Sequence, residues 1–201
     1  RDPFLRYVRS GGSFVTLGGL AFEQLLYRVE GGWERAGTAA LDPAASPVVL
    51  ADFEGSEPKW ETSHIGPEDH AMMKRIMPGA AQTPGAAEVS FPGLSGFAYA
   101  GLAQEPGTVT PRQCVLCFWA RGDATTRQLA VEVQEADRSR WKRVVPLSQE
   151  WQRFLLPTSA FLSYATEGRG GPGDRLNAER IDRVFFGLTR GMVGAGDHTV
   201  W

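Results

Sequence analysis

The sequence predicts a mainly β protein, a two-sheet antiparallel sandwich of the jelly-roll type preceded by a short α/β remnant. Three observations carry this. From Val48 onward, short apolar runs recur, each bounded by Gly, Pro, Asp or Ser clusters, and no long amphipathic helix intervenes. Gly (24) and Pro (13) supply more chain-breaking residues than a helical bundle tolerates in 201 residues. The run Leu129-Ala130-Val131-Glu132-Val133-Gln134 alternates apolar and mostly polar positions, as a strand with one buried face must.

In chain order, the first segment, residues 1–35, has a character of its own. Phe4-Leu5-Arg6-Tyr7-Val8 has helical spacing and meets Gly11-Gly12, a stop signal. Ser13–Leu17 reads as a short buried strand closed by Gly18-Gly19, and Ala21–Val29 as a second short helix with Phe22, Leu25, Leu26 and Val29 on one side. Thirty residues cannot complete an α/β domain, because a parallel strand needs neighbours. Residues 36–47 (AGTAALDPAASP) are small, Pro-bearing and weakly patterned, as linkers are. Residues 48–201 then form the sandwich, with strands expected at 48–54, 70–77, 86–91, 97–103, 113–121, 128–136, 140–146, 151–156, 181–189 and 197–201. Cys114–Trp119 is apolar throughout and reads as a central strand covered on both sides. The chain opens on Arg1 and closes on Trp201 within an apolar stretch, so it reads as part of a longer chain.

Charge narrows the function. The net charge of −2 provides no field for gripping a phosphate backbone, so nucleic acid is not an expected partner. No apolar run approaches the ~20 residues of a membrane span, so no direct membrane insertion is expected. Arginine outnumbers lysine 18 to 3 in an Ala- and Gly-rich chain, the bias of a GC-rich bacterial coding sequence.

Motifs for covalent chemistry are thin. Cys114 and Cys117 have C-x-x-C spacing, but residues three apart on a strand point to opposite faces, so two small buried hydrophobes without a disulfide are expected. His64, His70 and His198 have no metal-site spacing, and there is no nucleophile elbow or phosphate loop. Arg121-Gly122-Asp123 spells an adhesion tripeptide but reads as a strand running out into a turn. No nucleophile–base pair or paired-carboxylate motif stands out, and the chain by itself is not expected to be an enzyme.

Several blocks together resemble the galactose-binding-like jelly rolls, especially family-eleven-type carbohydrate-binding modules. They are Val48-Val49-Leu50-Ala51-Asp52-Phe53-Glu54-Gly55 with Trp60, then Phe118–Asp123, Leu129–Val133, Trp141, Glu150-Trp151-Gln152, Phe154–Pro157 with Phe161, Ile181–Leu188 and His198–Trp201. The family's last strand runs on through an acidic residue, so the resemblance implies a last strand incomplete at Trp201. Tyr7-Val8-Arg9-Ser10-Gly11-Gly12-Ser13-Phe14-Val15-Thr16-Leu17-Gly18-Gly19, with Phe22 and Trp33, resembles the tail of a glutamine-amidotransferase-like domain of β-galactosidase trimerisation regions. Together the two resemblances imply the non-catalytic part of a multidomain glycan-active protein, a glycoside hydrolase accessory, extracellular or periplasmic. Its partners would be a glycan ligand or neighbouring domains of the same protein.

The resemblance further implies a structural calcium tying the first strand to the last, with Asp52 and Glu54 as its carboxylates here; a solvated edge pair is the other reading. Sugars need a flat apolar platform and polar groups for hydroxyls. If Leu116, Phe118, Leu129, Val131 and Val133 face the core, parity turns Cys117, Trp119, Arg121, Glu132 and Gln134 to a concave ligand side. The candidate ligand patch is therefore Tyr99, Trp119, Arg121, Glu132, Gln134 and Arg153. Two plainer readings stand beside it: Trp119 covered by the preceding loop, and Arg121–Glu132 as an ordinary cross-strand ion pair. Trp60, Trp141 and Trp151 are expected as structural wedges at strand ends. The alternative function is a structural or assembly module, like the sandwich of complex I intermediate-associated proteins, contacting a protein through Arg169, Arg175, Arg180, Arg183 and Arg190.

Overall fold

The computed structural model describes residues 25–29, 32–36, 48–51, 53, 60–64, 69–80, 83–104, 108–109, 115–164, 168–171 and 174–201. The chain divides into two compact units, Arg1–Pro43 and Ala44–Trp201. In the first, β1 (Leu25–Val29) and β2 (Gly32–Ala36) form an antiparallel hairpin. Leu25–Val29 is thus a strand and not the end of a helix: the cross-strand ladder to Gly32–Ala36 overrides its helical spacing. Ala36, placed in the linker above, closes β2. The helix at Phe4–Val8 and the strand at Ser13–Leu17 lie outside the described residues, as do the residues of the amidotransferase-like resemblance apart from Trp33 in β2.

The second unit is an antiparallel sandwich. Its strands are β3 (Trp60–His64), β4 (Met72–Ile76), β5 (Ala86–Leu94), β6 (Phe97–Ala103), β7 (Val115–Ala120), β8 (Gln128–Glu135), β9 (Arg140–Pro146), β10 (Gln152–Pro157), β11 (Leu162–Ser163), β12 (Ile181–Thr189) and β13 (Gly196–Val200). A short helix, α1 (Arg190–Val193), lies between β12 and β13. The first layer has six strands in the order β11-β9-β8-β12-β6-β3. The second combines β4-β5-β13 with the pair β7-β10. Arg121 and Trp201 join these two pieces by exchanging backbone N–H···O bonds of 2.9 and 3.0 Å.

The opening strand expected at 48–54 does not form at residues 48–51 and 53. Phe53 has φ +57°, outside extended geometry, and its ring stacks on Trp60 at 6.0 Å between centroids. Leu50 and Phe53 therefore pack on the core as an irregular segment, and the edge of the sheet beside β6 belongs to Trp60–His64.

The core is filled from both layers. Val89, Phe91, Ala120, Leu156 and Val200 meet Ala98, Leu129, Val131, Val133, Trp141, Val184 and Leu188. Phe118 on β7 stacks on Phe154 at 5.1 Å and meets Phe186 of the facing sheet edge-on at 5.3 Å. Trp141 is fully buried in this core, not a wedge at a strand end. Cys114 lies outside the described residues, and Cys117 is an exposed free thiol instead of a buried hydrophobe. The outer side of β7 is open at Cys117 and Trp119, so this strand is covered on one face only.

Two turns fix the register of the strands on either side of them. Between β8 and β9, the Asp137 carboxylate accepts from Ser139 N–H at 3.0 Å and Oγ at 2.6 Å, and Arg138 takes φ +67°. After β7, Asp123 Oδ1 accepts from Thr125 N–H at 2.7 Å and Thr126 N–H at 2.8 Å, while Oδ2 accepts from Thr199 N–H at 2.6 Å. Burial alone would raise the Asp123 pKa, but these bonds outweigh it and hold the carboxyl below its ordinary range. The Arg-Gly-Asp triplet is thus a turn whose acid is used internally.

Two glycines let aromatic rings lie flat on the outer side of the six-stranded sheet. A Cβ on Gly101 would stand 2.3 Å from Phe185 Cδ1, and one on Gly187 2.3 Å from Tyr99 Cδ1 and 2.6 Å from the Ala98 carbonyl oxygen. Gly187→Ala is therefore expected to destabilise the sandwich by about 2 kcal/mol, as overpacking does. A lowered urea midpoint with an unchanged denaturant slope would show it.

Candidate functional site

The outward side chains of the six-stranded sheet fall into cross-strand rows. One row runs Lys142, Glu132, Phe185, Gly101, Glu61 across β9, β8, β12, β6 and β3. The row on one side is Val144, Ala130, Gly187, Tyr99, and that on the other is Arg140, Gln134, Arg183. Strand alternation sets this face: Trp141 and Val145 point inward, so Arg140, Lys142 and Val144 point outward.

A polar network spans the rows. Tyr164 Oη donates to Glu132 Oε1, and Arg140 Nη1 lies 3.2 Å from the same oxygen. Arg140 Nε donates to Gln134 Oε1 at 3.2 Å, and Gln134 Nε2 approaches Asp182 Oδ1 at 3.5 Å. Lys142 Nζ donates to Tyr99 Oη at 3.0 Å and stands 5.3 Å from the Tyr164 ring centroid. Beneath these groups, Tyr99, Ala130 and Phe185 form a small apolar cluster, with Phe97 and Met192 against it.

Burial sorts the residues by role. Glu132, Gln134, Tyr99 and Phe185 are buried although they point away from the main core. Tyr164 is 44% exposed, and Val144 and Leu162 are open beside it. The open surface is thus an aromatic ring with a phenol, a guanidinium and an ammonium, held from below by a buried acid and amide. Tyr99, a member of the expected ligand patch, is buried under this layer; the exposed ring on this face is that of Tyr164.

Burial is the main influence on Glu132 and raises its pKa above the ordinary glutamate value, although Tyr164, Arg140 and Lys142 pull the other way. Burial likewise pushes the Tyr99 and Tyr164 phenols up, reinforced at Tyr164 by its bond to Glu132. Both stay neutral phenols at ordinary pH, Tyr164 donating to Glu132 and Tyr99 accepting from Lys142.

The six residues expected to form one patch divide between the two layers. Tyr99, Glu132 and Gln134 share the face just described, whereas Trp119 and Arg153 are cross-strand partners on β7 and β10. Arg121 does not pair with Glu132; its guanidinium lies 5.1 Å from the Trp151 ring centroid and 4.5 Å from that of Trp201. Glu132 has Arg140 as its cation. Alternation holds within each strand, with Leu129, Val131 and Val133 in the core and Cys117 and Trp119 exposed, but parity cannot say that β7 and β8 belong to different sheets. Trp119 is exposed, and most of the loop expected to cover it lies outside the described residues. Sequence reasoning missed Arg140, Lys142 and Tyr164. The first two were findable: a turn at Asp137 places them opposite Gln134 and Glu132. Tyr164 follows a two-residue strand that carries no pattern.

Asp52 and Glu54 lie outside the described residues. Among the described residues, no three His, Cys, Asp or Glu side chains are grouped to hold a metal ion. His198 is buried with its Nδ1 3.1 Å from Thr126 Oγ1. No helix in the described residues is long and apolar enough to cross a membrane.

No family model matches the chain, and no curated protein matches it. Solved structures do. A family 11 carbohydrate-binding module from Clostridium thermocellum, in complex with a β-1,3-1,4-mixed-linked tetrasaccharide, superposes with TM-score 0.58 at 16% identity, over 75% of this chain and 89% of that one. The family 11 module of the cellulosomal cellulase Lic26A-Cel5E of the same organism gives TM-score 0.56 at 17% identity, over 74% and 87%. An agarase, AgWH50C, gives TM-score 0.50 at 12% identity over 75% of this chain but 23% of its own. At these identities the likeness establishes the fold, a jelly-roll sandwich.

The raised Glu132 value has a definite sign. The folded state binds this proton more tightly than the unfolded chain, so its contribution is full below the ordinary glutamate pKa and is lost as pH rises through the raised value. Glu132→Gln should therefore gain stability relative to the parent as pH rises across that window. Urea unfolding of both proteins at a series of pH values checks it; a difference constant with pH would contradict the burial argument.

Proposed function

We propose that the sandwich is a non-catalytic carbohydrate-binding module that takes a glycan on the outer face of its six-stranded sheet. One observation carries this reading: an exposed Tyr164 ring flanked by Arg140 and Lys142, all three held in place by buried Glu132 and Tyr99. Aromatic faces pack against sugar C–H faces, and fixed donors meet hydroxyls, which is how such a surface selects saccharides. Glu132 acts as a positioning residue, orienting the phenol and the guanidinium without needing to touch the sugar. The sandwich's likeness to family 11 modules, one of them holding a β-1,3-1,4-linked tetrasaccharide, supports a neutral β-glucan as the first ligand to test.

The agarase, in which this shape fills under a quarter of the chain, supports a sandwich appended to a glycan-active enzyme. Three of the five arginines named for the assembly reading are engaged within the unit, while Arg175 and Arg190 are exposed. Arg169 and Arg180 are tied to Glu135 and Asp137, and Arg183 to Glu61, so these guanidinium groups are engaged within the unit.

Calorimetric titration with mixed-linked β-glucan tetrasaccharide, alongside galactan oligosaccharides, is the direct test. A dissociation constant of ~1 mM or tighter is expected, about −4 kcal/mol or better. Tyr164→Ala, which removes the open ring, should weaken it about tenfold, with the fold checked by circular dichroism. Failure of every neutral glycan to bind the folded protein at millimolar concentration would sink the proposal. Hydrolysis of a chromogenic glycoside by the purified chain would overturn its non-catalytic part.

A further inference from the structure

The second layer carries a face of different chemistry. Across it runs a row from β4 through β5 to the end of β13 and the exit of β7: Lys74, Glu88, Trp201, Arg121. Lys74 Nζ lies 2.8 Å from Glu88 Oε1, and Trp201 Nε1 donates to Glu88 Oε2 at 3.0 Å. The Arg121 guanidinium then lies near the rings of both Trp201 and Trp151, at 4.5 and 5.1 Å from their centroids. Two residues back on β7, Trp119 projects from the same side and is 41% exposed. Arg153 faces it across the β7–β10 ladder and donates from Nε to Cys117 Sγ at 3.4 Å.

The charges on this face do not balance locally. Glu88 neutralises Lys74, and the Lys74 contact leads the influences that lower the Glu88 pKa. Among the described residues, neither Arg121 nor Arg153 makes a salt bridge, and Arg121 Nε is buried with no hydrogen-bond partner. The exposed Trp119 indole therefore shares this side with two guanidinium groups that make no salt bridge, Arg121 acting on the Glu88 carboxylate only as a more distant charge. A guanidinium fork matches a carboxylate or sulfate, and a flat indole accepts the apolar face of a sugar ring. A neutral sugar would use the indole and leave both guanidinium groups without a salt-bridge partner.

We propose that this face is a second saccharide site, specific for an acidic sugar of the uronate or sulfated class. The sugar ring lies on Trp119, and its anionic group is held by Arg121 and Arg153. The proposal stands apart from the glycan reading of the six-stranded sheet, since the two faces lie on different layers and share no residue.

The test uses the whole chain and trigalacturonate as probe, followed by calorimetry and tryptophan fluorescence, with a neutral cellulose trisaccharide as comparison. Trigalacturonate is expected to bind, to shift the tryptophan emission, and to bind more weakly as salt is raised. Trp119→Ala and Arg153→Gln should each weaken it about tenfold, the scale of one lost charge-assisted or stacking contact. Both side chains are solvent-accessible, and an unchanged urea midpoint confirms that each variant folds. Arg175→Gln, an exposed arginine elsewhere, should leave binding unchanged and so separates a site from general attraction to positive charge. The proposal is overturned by absence of binding at millimolar trigalacturonate, by equal binding of the neutral trisaccharide, or by equal effects of Arg175→Gln and Arg153→Gln. Trp119-dependent self-association in sedimentation, without saccharide binding, would assign the face to a second protein copy and overturn it as well. Any of these failures leaves the β-glucan titration, read at Tyr164, as an independent result.

Discussion

Everything on the six-stranded face depends on two rings lying down over two glycines. In a sheet, a side chain normally stands up from its strand, and a Cβ on the neighbouring strand blocks any tilt across it. Gly101 and Gly187 remove that obstacle on β6 and β12, so Phe185 tips over one and Tyr99 over the other. The pair is reciprocal: each central strand supplies one ring and receives the other. The result is a smooth apolar floor on the side facing away from the main core. Glu132 is desolvated because it borders this floor, and a desolvated acid binds a phenol and a guanidinium far more firmly than a solvated one.

The two layers use their outer sides differently. On the six-stranded sheet the cations are spent: Arg140 answers Glu132, Lys142 bonds Tyr99, and Arg183 answers Glu61. What remains for a ligand is a set of aligned donors around one open ring, suited to hydroxyls. On the other layer one carboxylate, Glu88, is paired with Lys74, while Arg121 and Arg153 make no salt bridge among the described residues, an excess of positive charge that favours an anion. Neutral overall composition hid this division. A net charge of −2 summed over 201 residues says nothing about how charge is shared between two sides of one sandwich.

The fold was legible because period-two alternation is a local signal. Strands at 97–103, 140–146 and 181–189 coincide with β6, β9 and β12, and each is flanked by turn residues that leave the chain little choice. Residues 48–54 misled because an apolar run can pack as an irregular plug as well as a strand, and only the φ of Phe53 distinguishes them. Leu25–Val29 misled for the related reason that five residues fit helical and extended spacing alike. The site was legible only in pieces. Inward and outward positions on β7 and β8 followed from sequence, but sheet membership is a long-range property: β8 pairs with β9 and β12, whereas β7 pairs with β10. Tyr164 had no sequence signal, because its place is set by its backbone bond to Arg140 and by Glu132 beneath it.

Tyr164 is also held from both directions along the chain. Before it, Leu162 and Ser163 pair with β9, and its own N–H donates to the Arg140 carbonyl at 3.3 Å. After it, Arg169 is pinned by the fully buried Glu135 and by Asp137, and its N–H donates to Ser139 Oγ at 2.6 Å. Both anchors belong to the β8–β9 hairpin, so the open ring is tethered to the strands that carry its polar neighbours. Ordering a free loop side chain on binding costs about 0.5–1.5 kcal/mol of conformational entropy, a large share of the free energy available to a weak saccharide complex. Part of that ordering is already made when the hairpin folds. A glycan bound as proposed at Tyr164 would meet a ring already held by Glu132.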